Sequence, residues 1–550
     1  STAYDFYEKS GLINDLNQLK IELLDIKNYY EDDYSKQSIL KEAYSLNNTI
    51  KSDYQKNEVL FRLGILNLFN YINNKSWDSL IKANESFEDY LKNIDSDNYK
   101  SYWAKCGILI TNFYQNKPID DLFMDISIPK GSYSKAKGFP LILFLIARAH
   151  IISGKENKVR KIFFNIERRI ENLLNEFPDN LDYQKIIIER YGFLLEEWIN
   201  YNFYDENSSV LEKSKNIIHI NELLVNRLLF KDHFTNSLSK EGLFEAENKI
   251  QKFINKKNGL IYFTIKLKNL NNNYVQRVIV INSLEKDGIK IIELESDDLL
   301  KIKKDFTLTF FRESSLEEQN IVLDNYGFHF SELLKFIDKK SYSVIPNGFY
   351  SYLPIHMIRN DSKYLYESKE YGYLPSLSFN INKSLINESG MGVFYTTEGK
   401  NAVEEAYTLR QKYNAVLYPD PDIKKFSAIK NHSSVHIIAH HRDSFLFFNN
   451  GTVILEEVIN YFSKNNSFAS FNICDSFDQN DLKEKYYAYN KSIAQQVLKK
   501  GVNKVLTHNW EVSQLAAKYF SGKYLADQFF CNSHINYLPS EYAGYMQWGC

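Results

Sequence analysis

The sequence predicts an α + α/β chain: a helical-repeat domain over residues 1–250, then an α/β domain on a largely parallel sheet over 255–550. Three observations predict it. Apolar residues recur at i, i+3, i+4 and i+7 through the first part. Near residue 255 the period shortens to two. Beyond 335, strand-like apolar runs alternate with stretches of helical period. At 550 residues the chain also exceeds one ordinary core.

The helical pattern is clearest in "KNEVLFRLGILNLFNYINN" (56–74), "SWDSLIKANESFEDYLKNI" (76–94) and "NYKSYWAKCGILITNFYQN" (98–116), separated by short polar breaks. Gly64-Ile65-Leu66 recurs as Gly107-Ile108-Leu109, 43 residues on. "FPLILFLIARAHIISG" and "ENKVRKIFFNIERRIENLLNEF" supply a further pair. Paired amphipathic helices at this period read as a solenoid that is TPR-like, without the strict consensus of small residues. An irregular helical domain is the alternative.

After 255, "GLIYFTIKLKNL", "NYVQRVIVINSL" and "GIKIIELE", the last two joined through a Lys-Asp-Gly turn, predict a short antiparallel run. Strands follow at "SYSVIP", "GVFYTT", "NAVLYP", "SVHIIAH", "FASFNIC" and "VNKVLTHNW", with helices predicted at 402–413, 453–464 and 490–501. Strands alternating with helices imply a parallel sheet covered on both faces.

Lys and Arg number 67 against 69 Asp and Glu, a net charge of −2, so no single-sign field favours nucleic acid or a membrane surface. Cys106, Cys474, Cys531 and Cys550 are scattered without a CxxC pair, which suggests neither a metal site nor a disulfide framework. No cofactor is implied. "STAYDFYEKS" lacks the pattern of a secretory signal, and the apolar stretch 139–150 is too short to span a bilayer. A cytoplasmic location is the expectation.

His440 ends one predicted strand and Cys474 the next. In open parallel sheets, reactive groups gather at the carboxyl ends of strands, and a right-handed crossover returns the second strand parallel to the first. Neighbouring strands would bring thiol and imidazole within reach, and His can lower a thiol pKa or take its proton during attack. Each residue also has a plain structural reading: a strand-closing Cys is often packing, a strand-end His a hydrogen-bonded group. His436 lies on the same face as His440, about 13 Å away at strand rise, and reads as structural.

The stretch 255–550 resembles a CHAT domain, of the caspase and separase group of cysteine peptidases. His436-Ile-Ile-Ala-His440-His441 is similar to the family's His-x-x-x-His-Gly, and Asn472-Ile473-Cys474-Asp475-Ser476 to its nucleophile run. Ile345-Pro346-Asn347-Gly348 through Leu353-Pro354-Ile355 is similar to its Ile-Pro-Asp-Gly turn. "YLPSLS" (373–378), Glu404-Glu405-Ala406, "VLKKGVNKVLTHNWEVSQLAAKYF" and "LPSEYAGYMQWG" fall where the family has counterparts.

The resemblance implies a caspase-like fold and a regulated cysteine endopeptidase, with Cys474 as nucleophile, His440 as base, and backbone N–H groups of Cys474 and His441 as the oxyanion hole. His441 stands where the family usually has Gly, and Phe477 also replaces a Gly. Such loops are strained, await activation, or leave a disabled scaffold that binds protein. His441 is a rival for the base. Asp443, Asp475 and Glu511 are candidates for a basic-residue pocket or are solvated charges; Trp510 lines a groove or is core. A protein substrate and a recruiting or activating partner on the repeats are implied. Bacterial proteins resembling this TPR–CHAT arrangement are associated with antiviral immunity, some attached to CRISPR effectors and others cleaving gasdermins.

Overall fold

A computed structural model describes residues 13–30, 36–74, 76–94, 99–117, 139–152, 156–177, 180–225, 240–265, 267–268, 274–295, 315–347, 355–360, 363–365, 368–374, 376–377, 390–442, 445–473, 493–508 and 545–548. The chain divides into two compact units, residues 1–194 and 195–550.

The first unit is helical, with α1 (Ile13–Tyr30), α2 (Lys36–Thr49), α3 (Asp53–Asn74), α4 (Trp77–Lys92), α5 (Tyr99–Tyr114), α6 (Phe139–Ile152), α7 (Glu156–Glu176) and the start of α8 (Leu181–Tyr204). Successive helices from α1 to α7 pack against one another in chain order. The recurring Gly-Ile-Leu has a physical cause. Phe87 of α4, fully buried, lies between the glycine of α3 and the glycine of α5. A Cβ on Gly64 would meet one edge of its ring at 2.6 Å, and a Cβ on Gly107 would collide with the other. Each glycine therefore makes room for the same ring. Half-buried Glu58 of α3 takes Lys100 of α5 at 2.7 Å and Arg62 at 2.8 Å.

In the second unit the end of α8 is followed by α9 (Val210–Val225) and α10 (Lys240–Phe253). The strands are β1 (Asn258–Phe263), β2 (Leu267–Lys268), β3 (Tyr274–Ile281), β4 (Ile289–Glu295), β5 (Ser341–Ile345), β6 (Arg359–Asn360), β7 (Lys363–Tyr364), β8 (Glu370–Tyr373), β9 (Met391–Tyr395), β10 (Val416–Pro419), β11 (Ser434–Arg442), β12 (Phe445–Phe448), β13 (Gly451–Ile454), β14 (Phe468–Ile473), β15 (Lys504–His508) and β16 (Tyr545–Trp548). Among them run α11 (Leu316–His329), α12 (Ser331–Phe336), α13 (Lys400–Tyr413), α14 (Leu455–Ile459) and α15 (Ile493–Lys499). Helices α9 and α10 thus belong with the sheet, and the change of texture near 255 marks the onset of strands.

The main sheet is ordered β10-β9-β11-β14-β15-β16-β8-β5-β1-β3-β2, with β4 on β3 and the β12–β13 hairpin on β11. It is more mixed than the predicted largely parallel sheet. Strands β10, β9, β11, β14 and β15 form one parallel block, and β16, β8, β5 and β1 another. The blocks meet at the antiparallel pair β15–β16, so they run in opposite directions. The antiparallel run β1–β4 extends the same sheet through the pairing of β1 with β5.

The helix expected over 453–464 is corrected: Gly451–Ile454 is a strand, and only Leu455–Ile459 is helical. The cause is the alternation Phe445–Phe448 and Gly451–Ile454 around Asn449-Asn450, a period-two pattern split by a turn, which makes a hairpin.

Candidate active site

The parallel block β10-β9-β11-β14-β15 reads, in chain order of its strands, 2-1-3-4-5. The order reverses between β9 and β11, so the crossovers from these neighbours leave on opposite faces. From β9 the chain passes through α13, whose Ala402, Ala406 and Leu409 pack with Val393, Tyr395 and Ile438. From β11 it passes through the hairpin and α14, after which Phe462 meets Phe471 of β14 at 5.8 Å between ring centroids. A crevice opens at the carboxyl ends of strands where such crossovers diverge, and that is where open α/β sheets bind ligands.

His440 stands at this rim. Strand β11 is buried from Ser434 to Ala439 and becomes exposed at His440. Its pairing with β14 is parallel and in register from Ser434↔Phe468 to Ala439↔Ile473. Strand alternation puts His436, Ile438 and His440 on one face, the face covered by α13. His441 is half-buried in ordinary strand backbone opposite Leu446. It lacks the positive φ seen at Asn414 and Asp420, so the backbone strain expected of a side chain in a glycine position does not arise at 441. Cys474, Asp475, Phe477, Asp443, Trp510 and Glu511 lie outside the described residues.

Beneath the rim is a polar cluster that motif reading did not reveal. The Glu405 carboxylate of α13, 3% exposed, bonds His436 through Oε1 to Nε2 at 2.8 Å, and His436 is fully buried. Its other oxygen, Oε2, accepts from Asn472 Nδ2 of β14 at 2.7 Å. The structural reading of His436 fits this burial. Helical period around Glu404-Glu405-Ala406 marks Glu405 as inward-facing, the one signal in the sequence that a carboxylate enters the core.

A second cluster ties the loops of the rim. Asp420, at φ 40° after β10, accepts from the Thr397 backbone at 2.9 Å and the Asn449 backbone at 3.1 Å through Oδ1, and from the Thr397 hydroxyl through Oδ2. Asn450 Nδ2 donates to the Asp420 carbonyl at 2.6 Å. Burial pushes the Asp420 carboxyl up, but the bonds from Thr397 and Asn449 outweigh it and hold it below its usual value. The tip of the β12–β13 hairpin is thereby pinned to the ends of β9 and β10, and close to that tip Phe447 pairs with His440.

The other strand-end motifs do not reach this rim. Asn347 follows β5 and Ser376 follows β8, in the oppositely directed block, so they lie toward the other end of the sheet. Asn347 Nδ2 donates to the Phe263 carbonyl at 2.7 Å, and its own carbonyl accepts from Gln276 at 2.6 Å. Ser376 donates to Glu222 of α9, which also accepts from Tyr262 at 2.9 Å. Burial first, then the Glu222 charge, pushes the Tyr262 phenol well above its ordinary pKa. These residues join α9 to the sheet. Cys106 is fully buried in α5, and burial pushes its thiol up to about 12. No helix among the described residues is long and apolar enough to cross a membrane.

No family model and no curated protein matches the chain. Among solved structures, the chain is similar to two determinations of the Saccharomyces cerevisiae separase–securin complex, at 2.6 and 3.0 Å resolution. Each has a TM-score of 0.47 and 10% sequence identity, over 98% of this chain and 50% of that one. The chain spans about half the length of the solved chains it matches.

Proposed function

We propose that residues 255–550 carry a cysteine endopeptidase acting through Cys474 and His440, with residues 1–250 as a helical, TPR-like recruiting part. One observation carries the reading: the in-register parallel pairing of β11 and β14 at the switch point. The register ends at Ala439↔Ile473, and His440 and Cys474 are the next residues along their chains. Paired positions on parallel neighbours share a face, with strands about 4.8 Å apart, and an imidazole and a thiol can meet across that gap.

The Cys474 sulfur, its proton taken by His440, attacks the scissile carbonyl. The tetrahedral oxyanion is held by the backbone N–H groups of Cys474 and His441. Collapse expels the amine, protonated by the imidazolium, and water clears the acyl-enzyme. Asp443, Asp475 and Glu511 supply an acidic pocket for a basic side chain before the cleaved bond, and Trp510 lines the groove. In this reading the peptidase acts on a protein substrate under an activating partner, in the cytoplasm and in a bacterial immunity pathway of the kind the resemblance to CHAT proteins implies.

The test is covalent labelling by a peptidyl acyloxymethyl ketone, read by intact mass on wild type, Cys474→Ala and His440→Ala. Labelling of the wild type alone is the expected result. Equal labelling of Cys474→Ala would remove the assignment.

A further inference from the structure

The Glu405 carboxylate is costly where it sits. Burying a charge costs several kcal/mol unless its partners offset it, and an apolar side chain of similar volume holds such a position at least as well. The helix that carries it already packs through Ala402, Ala406 and Leu409. What Glu405 adds is a bond to each of two strands: His436 of β11 and Asn472 of β14. Both bonds lie on one face of the sheet. His436 is four residues before His440, and Asn472 two residues before Cys474. Ile438 and Asn472 are partners in the register of β11 and β14, two residues before 440 and 474 in their chains.

We infer that Glu405 is a positioning residue for the cysteine–histidine pair, fastening β11 to β14 so that positions 440 and 474 are held at reacting distance. The inference rests on the peptidase reading above. Two oxygens accepting two donors make the clamp specific. The buried His436 Nδ1 has no hydrogen-bond partner, so Nε2 carries the proton and donates to Glu405. Asn472 Nδ2 is the second donor. A glutamine at 405 keeps both bonds, its oxygen accepting from His436 and its NH2 donating to the Asn472 oxygen once that amide turns over. A leucine keeps the volume and removes both acceptors at once.

The experiment measures alkylation of Cys474 by iodoacetamide at pH 7, by peptide mass spectrometry, on full-length wild type, His440→Ala, Glu405→Leu, Glu405→Gln and Asn472→Ser. Melting temperature is recorded in parallel. A displacement of about 1 Å in a reacting pair costs on the order of 10²-fold. Glu405→Leu is therefore expected to slow Cys474 to about the rate of His440→Ala. Asn472→Ser, which releases only β14, should lose about tenfold, and Glu405→Gln should stay within about threefold of wild type. A wild-type rate in folded Glu405→Leu, or a Glu405→Gln as slow as Glu405→Leu, overturns the positioning role. Should Glu405→Leu not fold, Asn472→Ser and Glu405→Gln decide by the same criteria. Equal rates in wild type and His440→Ala would instead show that no pair exists, and the peptidase reading would fall with the inference.

Discussion

The ring of Phe87 offers a change whose sign can be reversed by a second change. Gly64→Ala places a methyl 2.6 Å from Cδ1 and Cε1 of that ring, where ordinary contact begins at 3.4 Å, so atoms must part by 0.8 Å. The ring has nowhere to go, because Gly107 touches its opposite edge. Two effects compete. Alanine in a helix interior is favoured over glycine by about 0.8–1 kcal/mol, whereas overpacking a filled core costs about 1–3 kcal/mol. The clash wins over most of that range, for a net loss of up to about 2 kcal/mol. Amide exchange over residues 77–114 reads it as opening up to about 30 times more often. In a Phe87→Leu background the obstacle is gone, and Gly64→Ala should slow exchange there. Equal acceleration in both backgrounds would show that Phe87 is not what the glycine accommodates.

The rim yields further expectations. His441→Gly should leave turnover unchanged, since 441 sits in unstrained strand backbone, while strand stability falls by about 0.5–1 kcal/mol. A collapse of turnover would move the base to His441. Asp420→Asn should loosen residues 445–454 by about 1 kcal/mol, visible as faster hairpin amide exchange. Because the Asp420 carboxyl is held below its ordinary 3.8, its contribution is complete above that pH and lost as pH falls through the lower folded value. Protection of the hairpin that ignores acid would refute the latch. Cys106→Ser should leave probe labelling unchanged, and native Cys106 should resist iodoacetamide until the helices unfold, since its thiolate is suppressed by burial.

Much of the architecture was legible because periodicity survives translation into structure. Helices α3, α4 and α5 fall where the 3.6-residue pattern predicts them, and β3, β4, β5, β10, β14 and β15 lie within the predicted runs, while β1 and β9 start one residue earlier and β11 runs on to Arg442. Residues 451–454 were misread because Val453, Leu455, Val458 and Ile459 also fit a helical stripe, and only the pairing with β12 makes the first of them a strand. Strands β8 and β16 were missed: β8 is four residues long and has no alternation to detect, and β16 is recruited by partners distant in sequence. Glu405 was quoted for a resemblance, but its two bonds come from residues 31 and 67 positions away.

Strand direction is the property that hydropathy does not encode, and here it decides which polar strand ends can share chemistry. His440, Asn347 and Ser376 each close or follow a strand of the same sheet. The antiparallel junction of β15 and β16 separates them: Asn347 and Ser376 end strands of the reversed block, and their bonds go to Phe263, Gln276 and Glu222. In that block β1, β5 and β8 follow one another in chain order, so no crossover divergence opens a crevice between parallel neighbours. The order reverses between β9 and β11, the place where open α/β sheets form such a crevice. Exposure begins there at His440, above a buried carboxylate bonded to both β11 and β14, and the proposed reacting pair would inherit its geometry from the core below it.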